Sequence, residues 1–390
     1  MDVELSARDL EWREEVRRFL ADAVTDELRA ELAEPRPAGR GPAEAAFWRK
    51  VGERGWMSLT WPQEYGGRNL DALRRLILVD EFEYAGAPML DMTITSLAPV
   101  IIRHGTPANK ERWLPGIRSG EIRFALGYSE PDAGTDLAAL RTSAVLDGEE
   151  WVVNGDKIWN TGAHTQTHEW LAVRTGPDPG HRGISIVIVP LDAPGVTVQP
   201  IWTWGDHRTN QVFFDSVRVP RDHLIGEVNR GWDYIVAALD NERGHLGSVG
   251  GLRRVVDELI EAARVTVVDG RLLCEDPVAR LAIAELHAEV EVARLLSYQV
   301  ASGGVDGVVE TVPATMLKVL VTELRAKIGS VGMSLFGLHG QLAGPRAPLG
   351  GLLEHTYRLA PLFRFGGGTN EVMRDIIAQR GHGLPRSGRR

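Results

Sequence analysis

At position 242 an acid falls where a helix would carry an apolar residue. A helix is expected from Trp232 to about Val265, with Ile235, Leu239, Leu246 and Val249 on one apolar stripe. Glu242 follows Leu239 by three residues and precedes Leu246 by four, so it shares that stripe. Burial there disfavours the carboxylate and raises its pKa toward the value a general base needs near neutral pH. The competing reading is a buried glutamate paired with Arg243 or His245. Gly244, Gly247, Gly250 and Gly251 surround it. Glycine costs a helix about 1 kcal/mol per residue, a cost that makes sense where another backbone or a flat ligand comes close. Simple helix packing is the commoner cause.

Three other segments carry groups suited to binding. Tyr128-Ser129-Glu130-Pro131-Asp132-Ala133-Gly134-Thr135-Asp136 offers backbone amides and the hydroxyls of Ser129 and Thr135 to a polar ring edge or a phosphate. A plain turn would look the same. Trp159-Asn160-Thr161-Gly162-Ala163 sets an aromatic face beside a hydroxyl. Phe365-Gly366-Gly367-Gly368-Thr369-Asn370-Glu371 is a glycine loop running into a helix start, a candidate anion or oxyanion site. No P-loop, no Rossmann fingerprint after a strand and no metal-ligand spacing accompanies them.

The elements that must position these groups fall into three blocks. Residues 1–122 read as helical: Ser6 caps a helix with Trp12, Val16, Phe19, Leu20 and Ala23 at helical spacing, and Ala45–Glu53 and Asp71–Tyr84 follow. The loop Pro62–Gly67 punctuates them. Residues 123–228 read as strands. Asn154-Gly155 between Trp151–Val153 and Lys157–Trp159 is expected to be a hairpin turn, and Trp170–Val173, Ile184–Val189, Val196–Val198 and Gln211–Val219 are further strands. Residues 229–390 return to helix. Asp276-Pro277 starts one that Ser302-Gly303-Gly304 ends, Thr311–Ile328 is a second, and Asn370–Arg380 is a third stopped by Gly381. The tail Arg386–Arg390 is expected to be disordered. The class is α+β, a central antiparallel β-barrel-like domain between an N-terminal helical domain and a C-terminal helical bundle.

Composition narrows the function. The 390 residues are 43% hydrophobic and 25% charged, as in a soluble globular chain of two or three packed units. A net charge of −9 argues against a nucleic-acid partner. No apolar run is long enough to span a membrane, and MDVELSARDLEW has neither the basic leader nor the apolar core of a secretion signal. The single cysteine, Cys274, cannot form an internal disulfide, and it fits a small apolar role in a cytoplasmic protein.

In this order and at these separations the segments resemble the acyl-CoA dehydrogenase superfamily over nearly the whole chain. Phe124–Asp136 looks like the family's first flavin segment, Lys157–Ala163 like its second, and Gly366–Arg374 like its C-terminal one. FFDSVRVPRDHLIG, within Gln211–Gly226, matches the strand-to-helix connection. The resemblance implies FAD held between subunits. It also implies removal of a proton from Cα of an acyl-CoA, with hydride transfer from Cβ to the flavin, giving a 2-enoyl-CoA. Ser129 and Thr161 would then hydrogen-bond the flavin ring and Trp159 would lie against it. Leu126, Tyr128 and Asn160 would complete that edge, while Thr369 and Glu371 would lie near the dinucleotide. Thr135 would sit by the thioester arm, and Arg243 beside the base. Reduced flavin would pass its electrons to an electron-transfer flavoprotein.

Two departures sharpen the resemblance. Many members carry the catalytic glutamate in the C-terminal glycine segment, where this chain has Gly367; a minority carry it on a third-block helix before an arginine, where this chain has Glu242-Arg243. Gly367 retains a backbone N–H for the thioester oxygen. The family's Arg-x-x-Phe-Gly stretch, which reaches the neighbour's FAD, is missing between Arg264 and Asp276, and Ser334-Leu335-Phe336-Gly337 replaces a glutamine-glycine-glycine segment. This pattern resembles the glutamate-bearing subunit of heteromeric bacterial steroid side-chain acyl-CoA dehydrogenases, implying a second dehydrogenase-like subunit in an α2β2 assembly. The glycine-rich helix is compatible with a bulky, sterol-like acyl chain. A flavin monooxygenase on the same fold, or a non-catalytic partner subunit, are the alternatives.

Overall fold

The computed structural model describes residues 5–33, 40–245, 248–268, 270–303 and 310–385, with the backbone alone at 243–245. Leu246, Gly247, Gly304 and the tail Arg386–Arg390 lie outside the described residues. Helices α1 (Ala7–Ala23), α2 (Asp26–Ala33), α3 (Pro42–Glu53), α4 (Ala72–Ala85), α5 (Ala98–His104) and α6 (Pro107–Ser119) come first. Strands β1 (Phe124–Gly127), β2 (Ser143–Asp147), β3 (Glu150–Ile158), β4 (His168–Arg174), β5 (Ile184–Pro190), β6 (Val196–Trp202) and β7 (Arg208–Pro220) follow. Then come α7 (Gly231–His245), α8 (Gly250–Val265), the short pair β8 (Val267–Val268) and β9 (Arg271–Leu272), α9 (Pro277–Ser302), α10 (Thr311–Leu335), α11 (Leu352–Phe365) and α12 (Asn370–Ile376).

The chain folds as two compact units, one of residues 1–29, 71–89 and 243–390, the other of 30–70 and 90–242. In the first, α1 and α4 join the later helices. Ser6 and Asp9 form a capping box at the start of α1, and Trp12, Val16, Phe19, Leu20 and Ala23 are all buried. Leu76 through Phe82 of α4 are buried without interruption, which makes α4 a central helix of this unit. Asp276 caps α9 ahead of Pro277, as the sequence predicts. Helix α10 continues past the expected end at Ile328, because Gly329 and Gly332 are points of close approach to α11. A Cβ at Gly329 would meet Tyr357 N at 2.7 Å, and one at Gly332 would meet Leu353 Cδ2 at 2.6 Å.

The helix expected over 232–265 is two helices. Asp80 Oδ1 of α4 accepts from Ser248 Oγ (2.7 Å), Val249 N (2.9 Å) and Gly250 N (3.1 Å). A Cβ at Gly250 would stand 1.9 Å from Asp80 O. These bonds fix the start of α8, so Gly250 serves a close backbone approach.

The second unit is built on a seven-stranded sheet in the order β1-β4-β2-β3-β7-β6, with β5 also paired to β4. It is mixed: β1 pairs β4 in parallel, and most other pairs are antiparallel. Strands β4 and β5 are buried almost throughout, and β6, an edge strand, carries Pro200 where a missing N–H is tolerated. The expected turn at Asn154-Gly155 is instead a bulge inside continuous β3, where the pairing with β7 shifts register. A Cβ on Gly155 would lie 2.7 Å from the Thr142 backbone, so the glycine admits β2 to β3. Gly148, at φ 63, makes the turn between those strands.

Candidate functional site

The segment after β1 is fixed from the side of β3. Lys157 is fully buried, and its Nζ donates to Tyr128 O (3.1 Å) and Glu130 Oε1 (2.8 Å). Ile158 N donates to Ser129 O at 2.9 Å, and Asn160 Nδ2 to Leu126 O at 2.9 Å. Burial pulls Lys157 down to about 8, although Glu130 opposes it. Burial also works to raise Glu130, but Lys157 and the N–H groups of Thr142 and Arg141 bring its carboxyl net below the ordinary range. Lys157, Ile158 and Asn160 together therefore hold the Tyr128, Ser129 and Leu126 carbonyls in one backbone arrangement.

Trp159 adopts φ 67, a rare conformation for a bulky residue, and hydrogen bonds on both sides enforce it. Asn160 N donates to Asn210 O (2.9 Å), Asn210 Nδ2 returns to Asn160 O (2.8 Å), and Thr161 N donates to Trp159 O (2.9 Å). In consequence Asn160 points inward, fully buried, while the Trp159 indole is 56% exposed and Thr161 is exposed beside it. Thr161 Oγ1 also reaches Thr209 Oγ1 at 3.5 Å. Beneath them Asn160 Nδ2 donates to the fully buried Glu169, whose carboxyl burial pushes up to about 8 against the opposing pull of Asn160 and Lys157. An outward indole next to a hydroxyl, on a turn locked from below, can take a flat ring with a polar edge. Thr135 stands in the exposed stretch Gly134–Asp136.

Glu242 lies in the last turn of α7, following the buried Ile235 and Ala238, and is half-buried. Its neighbour Asn241 donates to Ser96 O at 3.2 Å, which anchors that end of the helix. Burial, and next the negative charge of Glu242, raise the phenol of Tyr128. Tyr128 Oη is buried without a hydrogen-bond partner; Trp170 Nε1 acts on it from nearby, yet neither atom completes a bond. The Glu242 carboxylate thus lies within electrostatic reach of the Tyr128 phenol, although 114 residues of chain separate the two. The side chains of Arg243 and His245 lie outside the described residues.

In the other unit, α11 ends at Phe365 and the chain turns through Gly367 at φ 65 and Gly368 at φ 99. Thr369 caps α12, its Oγ1 accepting from Val372 N at 3.2 Å. The exposed Glu371 is held below the ordinary carboxylate range by its own backbone N–H and the Thr369 hydroxyl. Under this loop lies Lys318 of α10, fully buried.

Sequence reasoning missed Lys157, Glu169 and Lys318 as supporting residues. A signal was present for the lysines. Lys157 follows buried Val153 by four positions on a strand, and Lys318 lies between Ala314 and Val321 on a helical stripe, so each charge falls in an apolar phase.

Comparison with known proteins matches three family models in chain order. They are the acyl-CoA dehydrogenase N-terminal domain over residues 6–121, the middle domain over 125–217 and the C-terminal domain over 229–382. Acyl-CoA dehydrogenase FadE26 of Mycobacterium tuberculosis is 38% identical, with 100% of both chains covered. Acyl-CoA dehydrogenase FadE29 of the same organism is 36% identical over 99% of each. Among solved structures, the ChsE4-ChsE5 complex from Mycobacterium tuberculosis superposes with a TM-score of 0.91 at 38% identity, covering 99% of this chain and 100% of its own. The Tcur3481-Tcur3483 steroid ACAD gives 0.90 at 36% identity, with coverage of 99% and 100%. Helical N-terminal domain, middle β-sheet domain and helical C-terminal domain together are the acyl-CoA dehydrogenase fold. No helix among the described residues is long and apolar enough to cross a membrane. The chain belongs to the acyl-CoA dehydrogenase family, oxidoreductases that act on CH–CH donors.

Proposed function

We propose that this chain catalyses FAD-dependent α,β-dehydrogenation of an acyl-CoA thioester to a 2-enoyl-CoA, with Glu242 as the base. Dehydrogenase activity follows from the family, which is generally FAD-dependent. The observation that carries the finer reading is the placement of Glu242, half-buried at the end of α7 with its charge felt at Tyr128. That puts an acid beside the segment suited to the flavin edge, while the alternative family position is Gly367.

The residues fit a flavin. Trp159 offers an exposed flat face, Ser129 and Thr161 offer hydroxyls to a ring edge, and Leu126, Tyr128 and Asn160 support them from behind. Thr369 and Glu371 would serve the dinucleotide. Bound FAD supplies the two-electron acceptor for the hydride leaving the substrate β-carbon. Glu242 removes the α-proton onto its carboxylate. By its family position Gly367 would give its backbone N–H to the thioester oxygen, where enolate charge develops and where a fixed donor lowers the barrier most. Thr135 contributes to the thioester arm, and Arg243, next in the chain, to the setting of the base.

Likeness to the ChsE4-ChsE5 complex and to the Tcur3481-Tcur3483 steroid ACAD, each named for two components, supports extending two features to this chain. One is a second dehydrogenase-like subunit in an α2β2 assembly, and the other is a bulky, steroid side-chain acyl-CoA as substrate. The missing Arg-x-x-Phe-Gly stretch fits that reading, since a partner would supply the cation for the FAD pyrophosphate. Three modules at 1–122, 123–228 and 229–390, a cytoplasmic location and an electron-transfer flavoprotein as acceptor complete the proposal.

The test is Glu242→Gln, which keeps side-chain volume and removes the base. FAD content and acyl-CoA binding should persist, while anaerobic flavin bleaching on mixing with a turned-over acyl-CoA should fall by about 10²-fold or more. Bleaching at the wild-type rate would remove Glu242 from the mechanism.

A further inference from the structure

Lysine is seldom fully buried, and Lys318 is, at 0% exposure in the middle of α10. Its Nζ donates to Arg364 O at 3.1 Å, Gly368 O at 2.8 Å and Asn370 Oδ1 at 2.8 Å. An ammonium has three N–H groups, and these three acceptors match that number. They belong to one short stretch of chain. Arg364 is in the last turn of α11, whose carbonyls lack helical partners; Gly368 follows the left-handed turn; Asn370 opens α12. One cation therefore clamps the glycine loop before and after Gly366 and Gly367.

The ends of the loop are tied to the neighbouring helices by Gly366 N to Leu362 O (2.9 Å) and Met373 N to Thr369 O (2.9 Å), which leaves the Gly367–Gly368 turn between them. Gly367 and Gly368 have no side chains to pack, both take positive φ, and Phe365 is 58% exposed. The anchor itself is rigid. Thr322 Oγ1 donates to Lys318 O at 2.8 Å, Asn370 Nδ2 donates to Thr322 Oγ1 at 3.1 Å and to Glu323 Oε1 at 3.3 Å, and Glu323 pairs with Arg374 at 2.6 Å. If packing alone mattered, a methionine would fill the same stripe between Ala314 and Val321 without desolvating a charge.

We infer that Lys318 is a positioning residue for dehydrogenation: it holds the Phe365–Thr369 loop so that Gly367 presents its backbone N–H to the thioester oxygen. The inference rests on the role proposed above for Gly367. An N–H misplaced by about 1 Å loses most of its hold on developing charge, with rate losses of about 10²-fold.

Lys318→Met in the full-length protein, assembled with its partner subunit where one is required, tests this in two ways. Hydrogen exchange followed by mass spectrometry should show the amides of residues 365–369 exchanging about tenfold faster or more, with the α4 peptides unchanged. Anaerobic flavin reduction should slow by about 10–100-fold while KM for the acyl-CoA changes little. A 3-thia-acyl-CoA, which can lose its α-proton but is not dehydrogenated at the sulfur position, should give a weaker long-wavelength charge-transfer band. A purely structural lysine would not move that band. Asn370→Ala removes one acceptor and leaves the cation, and it should change both readouts in the same direction if Lys318→Met does not fold. Wild-type exchange in whichever variant folds overturns the clamp, whatever Glu242→Gln does. Fast exchange with a wild-type reduction rate and band overturns the positioning role, while bleaching lost in Glu242→Gln would still uphold the base.

Discussion

Glu169→Gln should change how stability depends on pH. Glu169 is fully buried on β4, and burial raises its carboxyl from an ordinary 4.5 to about 8. Between those values the unfolded chain has released this proton and the native protein retains it. Stability from this group is therefore full below about pH 4.5 and is lost progressively as pH climbs to about 8. Each pH unit inside that window removes about 1.4 kcal/mol, so pH 5 to pH 8 bounds the loss at about 4 kcal/mol. Lys157 works in the same cluster. Its lowered value, about 8, means that its burial penalty is relieved only above that pH, so the two groups act in separate windows. Glutamine keeps the volume and an acceptor for Asn160 Nδ2 and has nothing to titrate. The assay is chemical unfolding of wild type and variant at pH 5, 6, 7 and 8, followed by tryptophan fluorescence at fixed ionic strength. The gap between the two should shift steadily in favour of Glu169→Gln as pH rises. Parallel stability profiles from pH 5 to 8 would refute the reasoning, because they would mean that Glu169 is ionised in the native protein throughout.

Lys157→Met leaves the Glu130 carboxylate buried beside only the N–H groups of Arg141 (2.6 Å) and Thr142 (2.8 Å), and it strips the donor from Tyr128 O. The loss should be about 3–5 kcal/mol by denaturant unfolding, with a large part recovered by adding Glu130→Gln; a loss under about 1 kcal/mol would place the pair with surface ion pairs. Mass spectrometry of the intact native complex should show this chain with a second dehydrogenase-like subunit, and the chain made alone should bind FAD poorly. A homo-oligomer with one flavin per chain would refute that assembly.

Helix ends were legible where a local side chain sets them. Ser6, Asp71 and Asp276 each cap the helix that follows, because a short polar side chain meets free N–H groups a few residues on. Where a distant residue decides, local pattern misled. The break between α7 and α8 depends on Asp80, 169 residues before Val249, and the bulge at Gly155 depends on Thr142 across the strand pair. Neither partner can be read from the glycine-rich string itself, which suits a turn, a bulge or a close approach equally well.

The same division runs through the candidate site. Glu242 is proposed as the base partly because a carboxylate interrupts an apolar period, and that rule extends to Lys157 and Lys318, whose charges interrupt a strand and a helix. Desolvating an ammonium is costly enough that such a lysine persists only where acceptors already wait for it. The period therefore reveals the cost, but the acceptors lie far along the chain: Tyr128 O is 29 residues from Lys157, and Gly368 O is 50 from Lys318. In both cases a backbone carbonyl in a segment that the sequence marks for binding is among the acceptors, beside one side-chain oxygen. A lysine in an apolar phase is thus a sequence-level pointer to a loop whose backbone geometry needs outside support.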